Sequence, residues 1–307
     1  FPIQSVVLGG RQSLLSSRME KATESVSQTQ VRRVLRDNNI DLQGYIGKGA
    51  YSKVQVGVNV KMGSKVAVKV IDTSSGSEYV RRFLPREIEV VRNLNHANVV
   101  KVFQVLSMDN KVLLVEEYGD NGDLLKRIKD KTRLSEKESK PLFRQLIESL
   151  VYLQSQSIVH RDVKCENVFL DANDNVKLGD FGFARFLRQN EISSTFCGSR
   201  AYVAPEILSG VSYTGFTVDT WSAGIVLYVM TTGVMPYDDR NPKKMLERML
   251  SHRVRFPRME LSTELKTLVF EILHPTSTSR LSYSLICSSP WLHDTKYEMK
   301  SGTKSSS

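Results

Sequence analysis

The sequence predicts an α+β chain: a small β-rich lobe carrying one key helix, followed by a larger and mostly helical lobe. Three observations predict it. Short β-branched runs recur at Leu42–Ile46, Val54–Val60, Lys65–Ile71 and Val112–Val115, separated by turn residues. Beyond Gly119 the apolar residues recur instead every three or four positions. The pattern changes once, and no internal repeat appears.

The elements follow in order. Residues 1–40 are polar, Ser-rich and poor in aromatics, ending in Val31-Arg32-Arg33-Val34-Leu35. They predict a flexible N-terminal arm with room for one short helix. Asn59–Ser64 closes a hairpin with Gly63 near its turn. Arg81–Asn93 places Phe83, Ile88 and Val91 near one helical face within the strand-rich part. Lys137–Gln156 gathers Leu142, Leu146, Ile147, Leu150 and Leu153 on one face. Thr217–Thr232, Pro242–Ser251 and Thr263–Leu273 predict further helices. The C-terminal Lys/Ser stretch, 294–307, has little to bury and predicts a disordered tail.

Composition removes several function classes. The chain has 307 residues, 40% hydrophobic and 25% charged, as in ordinary globular proteins. Its longest apolar candidate, Ala223–Met235, is short of the ~20 residues that span a bilayer and is broken by Gly224 and Gly233, so no membrane partner is expected. Phe1–Gly10 is apolar but lacks a preceding basic region, so it is not read as a signal peptide. The chain starts without Met, so either Met19 initiates or the numbering begins inside a longer product. Cys165, Cys197 and Cys287 are scattered without metal-ligand spacing, which fits free thiols in a reducing compartment. A cytoplasmic location with access to the nucleus is the expectation. The net charge of +10 raises the nucleic-acid reading, but the cations are spread along the chain and no helix carries a basic, aromatic-interleaved stripe. No nucleic-acid partner is expected.

Ile46-Gly47-Lys48-Gly49-Ala50-Tyr51-Ser52-Lys53-Val54 sits between two strands. Glycines there let backbone N–H groups face phosphate oxygens without Cβ collisions. Taken alone, the same pattern is also a plain hairpin. Lys69 lies mid-strand in Val66-Ala67-Val68-Lys69-Val70, where an ammonium must meet an anion or lose heavily in desolvation, unless it reaches water from an edge strand. Ala67 points to the same face and leaves room for a flat ring. Glu87, on the following helix, is a natural partner for Lys69; a solvated helix acid is the other reading.

The densest pattern runs from His160 to Glu206. It opens His160-Arg161-Asp162-Val163-Lys164-Cys165-Glu166-Asn167, continues through Asp180-Phe181-Gly182 and closes Ala204-Pro205-Glu206. Two acids and an amide at these separations suit magnesium-assisted phosphoryl transfer. Asp162 is the expected base for a substrate hydroxyl, and Lys164 offsets charge on the transferring group. Asn167 and Asp180 are the expected Mg²⁺ ligands, hard oxygen donors for a hard ion.

On these motifs the chain resembles the eukaryotic protein kinase domain, with Lys164 marking the serine/threonine type. Phe83-Leu84-Pro85-Arg86-Glu87-Ile88-Glu89, Gly122-Asp123-Leu124-Leu125, Thr195-Phe196-Cys197-Gly198-Ser199, Met235-Pro236-Tyr237-Asp238-Asp239 and His252-Arg253-Val254-Arg255-Phe256-Pro257-Arg258 narrow this to the testis-specific serine kinases of the calmodulin-dependent-kinase-like group. The resemblance implies the two-lobed kinase fold over 41–293, with an N-lobe at 41–116, a hinge at 117–119 and a C-lobe at 120–293. It implies ATP and Mg²⁺ as cofactors. Ile46, Val54, Ala67 and Phe169 would sandwich adenine, Glu117 to Gly119 would read it through backbone groups, and Asp123 would bond the ribose. Glu116 falls at the gatekeeper position, where an acid is unusual. His160 and Phe181 would stack in a hydrophobic spine, Glu206 would pair with Arg280, and Asp219 and Trp221 would brace the catalytic loop.

Control follows from charge. Arg161 and Arg185 are cations awaiting an anion, and Thr195 is the phosphosite implied by the resemblance, with Ser193 and Ser194 as other hydroxyls in the loop. An upstream activating kinase is then a partner, and a chaperone is a family-level expectation. Glu166 and Asp123 predict protein substrates with a basic residue upstream of the target Ser or Thr. The resemblance also suggests a role in spermatogenesis. The alternatives are a pseudokinase scaffold or a basic nucleic-acid-binding protein; scaffolds commonly lose the lysine, the base or a metal ligand, and Lys69, Asp162, Asn167 and Asp180 are all present.

Overall fold

The computed structural model describes residues 28–49, 51–187, 198–213 and 215–301. They fall into two compact units. The first holds the described residues up to Ser74 together with Phe103–Glu117, and the second holds Ser75–Val102 and the described residues from Tyr118 onward.

The first unit is a five-stranded sheet in the order β1-β2-β3-β5-β4. Its strands are β1 (Ile40–Lys48), β2 (Ser52–Asn59), β3 (Ser64–Asp72), β4 (Val102–Met108) and β5 (Lys111–Glu117). β1–β2, β2–β3 and β3–β5 pair antiparallel. The register of β1 against β2 shifts between Leu42 and Gly44 and again between Tyr45 and Gly47, so the strand bends along its length. Gly57 permits that close pairing, because a Cβ there would meet the Asp41 carbonyl oxygen at 3.0 Å.

Several expectations need correction. A helix over 28–37, here α1, buries Val31 and Leu35 with Ile40, Leu42, Val66, Val68, Leu113 and Val115. The described end of the supposed flexible arm, 28–40, is therefore part of this unit's core. Val31 and Leu35 lie four apart on one helical face, and burial of two aliphatic side chains holds the helix down. Strand β4 was not predicted: its residues are nearly all half-buried and show no alternation. Finally, the segment 75–102, placed in the small lobe by sequence, packs with the second unit. Val90, Val91, Leu94 and Val99 share one core with Leu146, Ile147, Leu150, Leu178 and Phe181.

The second unit is helical. After a π-helical turn at Tyr79–Phe83 come α2 (Leu84–Asn93), α3 (Leu124–Lys131), α4 (Glu136–Ser155), α5 (Pro205–Leu208), α6 (Phe216–Thr232), α7 (Pro242–Leu250), α8 (Thr263–Ile272) and α9 (Tyr283–Cys287). Two small ladders pair β6 (Ile158–Val159) with β9 (Arg185–Phe186) and β7 (Val168–Leu170) with β8 (Val176–Leu178). Ser135 and Glu138 form a reciprocal capping box that starts α4. From Val218 to Thr232 every residue of α6 is buried, which makes it the central helix. Part of the expected disordered tail is ordered: Thr295 to Lys300 hydrogen-bond to Asn98, Arg144, Gln145 and Asn175. No helix among the described residues is long and apolar enough to cross a membrane.

Candidate active site

The predicted nucleotide residues of the first unit lie on β1, β2 and β3 and their turns, with Glu117 at the end of β5. Gly47 pairs with Val54 and Lys48 with Lys53 across β1–β2. The Gly49 N–H donates to the Ser52 carbonyl (2.8 Å), closing the turn. Ile46 and Tyr51 are exposed, and Ala50 lies outside the described residues. On β3, Lys69 pairs with Val54 on one side and Leu114 on the other, and Ala67 pairs with Val56 and Glu116. Antiparallel partners share a face. Val54, Ala67, Lys69 and Glu116 therefore lie on one face of the sheet, with Lys69 only 9% exposed. An ammonium buried to that degree must be matched by negative charge. Glu116 adds an acid diagonally across from it, and Glu117 ends β5.

In the second unit Glu87 is 1% exposed and accepts a hydrogen bond from the Tyr79 hydroxyl. It lies near Asp180: a Cβ built on Gly182 would stand 3.4 Å from Asp180 Oδ1 and 3.6 Å from Glu87 Oε2. Asp180 is exposed and adopts φ +57°, a left-handed backbone that turns its carboxylate out of the strand direction.

The loop after β6 carries the densest chemistry. Both carboxylate oxygens of buried Asp219 accept backbone N–H groups, from His160 (2.7 Å) and Arg161 (2.8 Å). Burial pushes the Asp219 pKa up, opposed by the His160 and Arg161 contacts. His160 Nδ1 accepts from the Asp162 N–H (3.3 Å), so its proton sits on Nε2, which donates to the Gly179 carbonyl (3.1 Å). Its ring packs 4.9 Å from Phe181. These contacts tie the loop to the residues on either side of Asp180.

Asp162 stands at the centre. Its Oδ2 accepts from Lys164 Nζ (2.8 Å) and Asn167 Nδ2 (3.1 Å). Its Oδ1 accepts from the Ser199 N–H (2.9 Å) and hydroxyl (3.0 Å), while Lys164 Nζ also reaches Ser199 Oγ (2.9 Å). Sequence reasoning gave Ser199 no role. The available signal is Gly198 beside it, with φ +96° and a Cβ position 2.6 Å from the Arg161 carbonyl, so only glycine brings Ser199 this close. Asn167 gives both amide protons to Asp162, one to its carbonyl (2.9 Å) and one to Oδ2, which leaves Oδ1 facing away as an oxygen donor. That oxygen and the exposed Asp180 carboxylate are the donor types Mg²⁺ takes, so the residues fit the ion.

The remaining predicted residues fall as follows. Asp123 caps α3, accepting the Lys126 N–H at Oδ1 (2.7 Å). Burial above all, with the charges of Glu166 and Asp123, pushes the Cys165 thiol up to about 12. Glu166 is exposed. Phe169 is half-buried on β7, and a Cβ on Gly119 would meet its Cβ at 3.0 Å. Arg161 Nε donates to the Phe183 carbonyl (2.7 Å), while its two terminal nitrogens are buried and take no hydrogen bond among the described residues. Arg185 lies on β9, paired with Val159. Thr195, Ser193 and Ser194 lie outside the described residues. The expected Glu206–Arg280 pair is present and bidentate, both contacts at 2.6 Å.

The chain matches the protein kinase domain family over residues 40–292. It is 42% identical over 273 residues to testis-specific serine/threonine-protein kinase 1 of Mus musculus, covering 85% of this chain and 75% of that protein. Kinase 2 of the same name and species is 42% identical over 271 residues, covering 86% and 76%. Testis-specific serine/threonine-protein kinase 3 of Homo sapiens is 41% identical over 266 residues, covering 85% and 98%. With Asp162, Lys164, Asn167 and Asp180 in place and this match along most of its length, the chain belongs to the protein kinase family, as a serine/threonine kinase of the testis-specific type.

Proposed function

We propose that the chain transfers the γ-phosphoryl group of Mg²⁺·ATP to serine or threonine hydroxyls preceded by a basic residue, and that phosphate on Thr195 activates it. The carrying observation is Asp162, held by Lys164, Asn167 and Ser199 from three directions. Held this way, Asp162 orients the substrate hydroxyl and takes its proton as the oxygen attacks. Lys164, hydrogen-bonded to both Asp162 and Ser199, places a positive charge beside the transferring group. Asn167 and Asp180 would hold Mg²⁺, which would offset charge on the phosphates. Lys69 carries the nucleotide's phosphates.

Glu166 and Asp123 support the basic preference, since Glu166 is exposed on the Cys165–Asn167 turn and Asp123 caps α3, which packs against that turn. Arg161 supports the phosphosite: its two buried terminal nitrogens fit a phosphate dianion. The names of the relatives support a role in spermatogenesis, and the free thiols of Cys165 and Cys287 fit the cytoplasm. A peptide library with and without upstream arginine tests the preference. Glu166→Gln with Asp123→Asn is expected to flatten the discrimination, and Thr195→Ala to lower activity on every peptide. An arginine preference unchanged in the double variant, or full activity in Thr195→Ala, would refute those parts.

A further inference from the structure

Three carboxamides outside the catalytic loop are almost fully buried: Asn98 (0% exposed), Gln145 (2%) and Asn175 (2%). Buried amides demand partners for each N–H and each lone pair they withdraw from water. Much of that demand is met by one extended stretch, 295–300. Tyr297 donates its hydroxyl to Asn98 Oδ1 (2.8 Å). Gln145 Nε2 donates to the Glu298 carbonyl (2.7 Å). Asn175 grips both backbone groups of one residue, accepting the Lys300 N–H at Oδ1 (2.7 Å) and donating Nδ2 to the Lys300 carbonyl (2.9 Å). Met299 Sδ lies 3.2 Å from Asn98 Nδ2.

Asn175 thus presents a donor and an acceptor as a neighbouring strand does, and it reads backbone irrespective of side chain. The three amides also bind one another: Asn98 Nδ2 reaches Gln145 Oε1 (3.3 Å), and Gln145 Nε2 reaches Asn175 Oδ1 (3.2 Å). Removing the stretch would strip Asn98 Oδ1 of its Tyr297 donor and take one partner from each of Gln145 Nε2, Asn175 Oδ1 and Asn175 Nδ2.

The slot sits on a joint that matters for the site. Asn98 follows α2, which carries Glu87. Its carbonyl accepts the Leu178 N–H (2.8 Å), and the Leu178 carbonyl accepts the Val100 N–H (2.9 Å). Two residues beyond Leu178 is Asp180. We propose that Asn98, Gln145 and Asn175 form a binding slot for the backbone of an extended peptide, that residues 295–300 are its resident ligand, and that their docking positions α2 and the β8 strand leading to Asp180. They are positioning residues that act through Glu87 and Asp180 without touching substrate. The catalytic arm of this inference rests on the kinase reading, while the slot itself does not.

The test uses the full chain with Lys300→Pro, which deletes the backbone N–H that the stretch gives to Asn175 Oδ1, and Lys300→Ala, which keeps it. Amide hydrogen exchange is read at Val100 and Leu178, with Ile225 in α6 as an internal reference, and KM for ATP is read against KM for peptide. Lys300→Pro is expected to speed exchange at Val100 and Leu178 about tenfold, the loss of one good hydrogen bond, with Ile225 unchanged. KM for ATP rises and KM for peptide holds, while Lys300→Ala stays like wild type. Unchanged exchange at both amides in Lys300→Pro, equal effects of Pro and Ala, or a uniform rise that includes Ile225 would each overturn the proposal. Faster exchange in a chain that transfers no phosphate in any form would uphold the slot and sink the kinase reading.

Discussion

Glu206→Ala should be among the most destabilising single changes in the larger unit, and the cost can be worked from the contacts. The Arg280 side chain is 0% exposed and that of Glu206 11%. The guanidinium gives two hydrogen bonds of 2.6 Å to Glu206 and spends others on the carbonyls of His274 (2.8 Å), Thr217 (2.9 Å) and Pro275 (3.2 Å). It also lies 5.0 Å from the Trp221 ring centre. Those contacts hold the cation in place when the carboxylate goes, so it stays buried and uncompensated. Breaking a buried pair from one side costs about 3–5 kcal/mol. At about 2–4 °C per kcal/mol for a chain of this class, that lowers Tm by about 6–20 °C. Urea unfolding followed by tryptophan fluorescence gives the free energy directly. The pair Glu206→Leu with Arg280→Met should recover most of the loss, because no lone charge remains. A single-variant loss under about 1 kcal/mol, the value of an exposed pair, would mean that Arg280 is not left buried and uncompensated.

Two further outcomes follow. Ser199→Ala removes the hydroxyl shared by Asp162 and Lys164 but keeps the backbone donor to Asp162. It should lower kcat by about 10–100-fold, one to two hydrogen bonds' worth, with Tm unchanged, as read by steady-state kinetics and calorimetry. Burial pushes the Glu136 carboxyl up, but hydrogen bonds from Ser262 Oγ and N and from Trp291 Nε1 outweigh it and hold the group below its usual value of 4.5. A lowered folded pKa gives stability that is present above about 4.5 and lost as pH falls through the folded value. Glu136→Gln should therefore unfold at lower urea than wild type at pH 7, with the gap closing in acid; a gap constant with pH would contradict this.

The catalytic loop was the most legible part of the chain. Asp162, Lys164, Asn167 and Asp180 carry chemistry that only a few residue types supply, at spacings fixed by one loop and one short hairpin. Lys69 was legible because a lysine inside an apolar strand demands an explanation. What the sequence hid lies where the signal is geometric. Ser199 is an ordinary hydroxyl until Gly198 brings it beside Asp162. Helix α3 is short, and only Leu124 and Ile128 are its buried residues, so its periodicity is brief. Val31 and Leu35 stood in a polar context that outweighed their helical spacing, and so the arm's end was misread. The tail misled in the same way: Tyr297 and Met299 alternate within a Lys/Ser-rich stretch, and most of what holds that stretch is its own backbone meeting amides far away in the chain.

In the proposed mechanism Asp162 organises phosphoryl transfer to a protein hydroxyl. The most direct measurement is the rate of labelled phosphate transfer from ATP to a serine peptide with upstream arginine, wild type against Asp162→Asn, at equal folded fraction. Transfer is expected from the wild type, with a fall of about 10²–10⁴ in the variant, the contribution of a positioned base. Equal rates in the two proteins would contradict it.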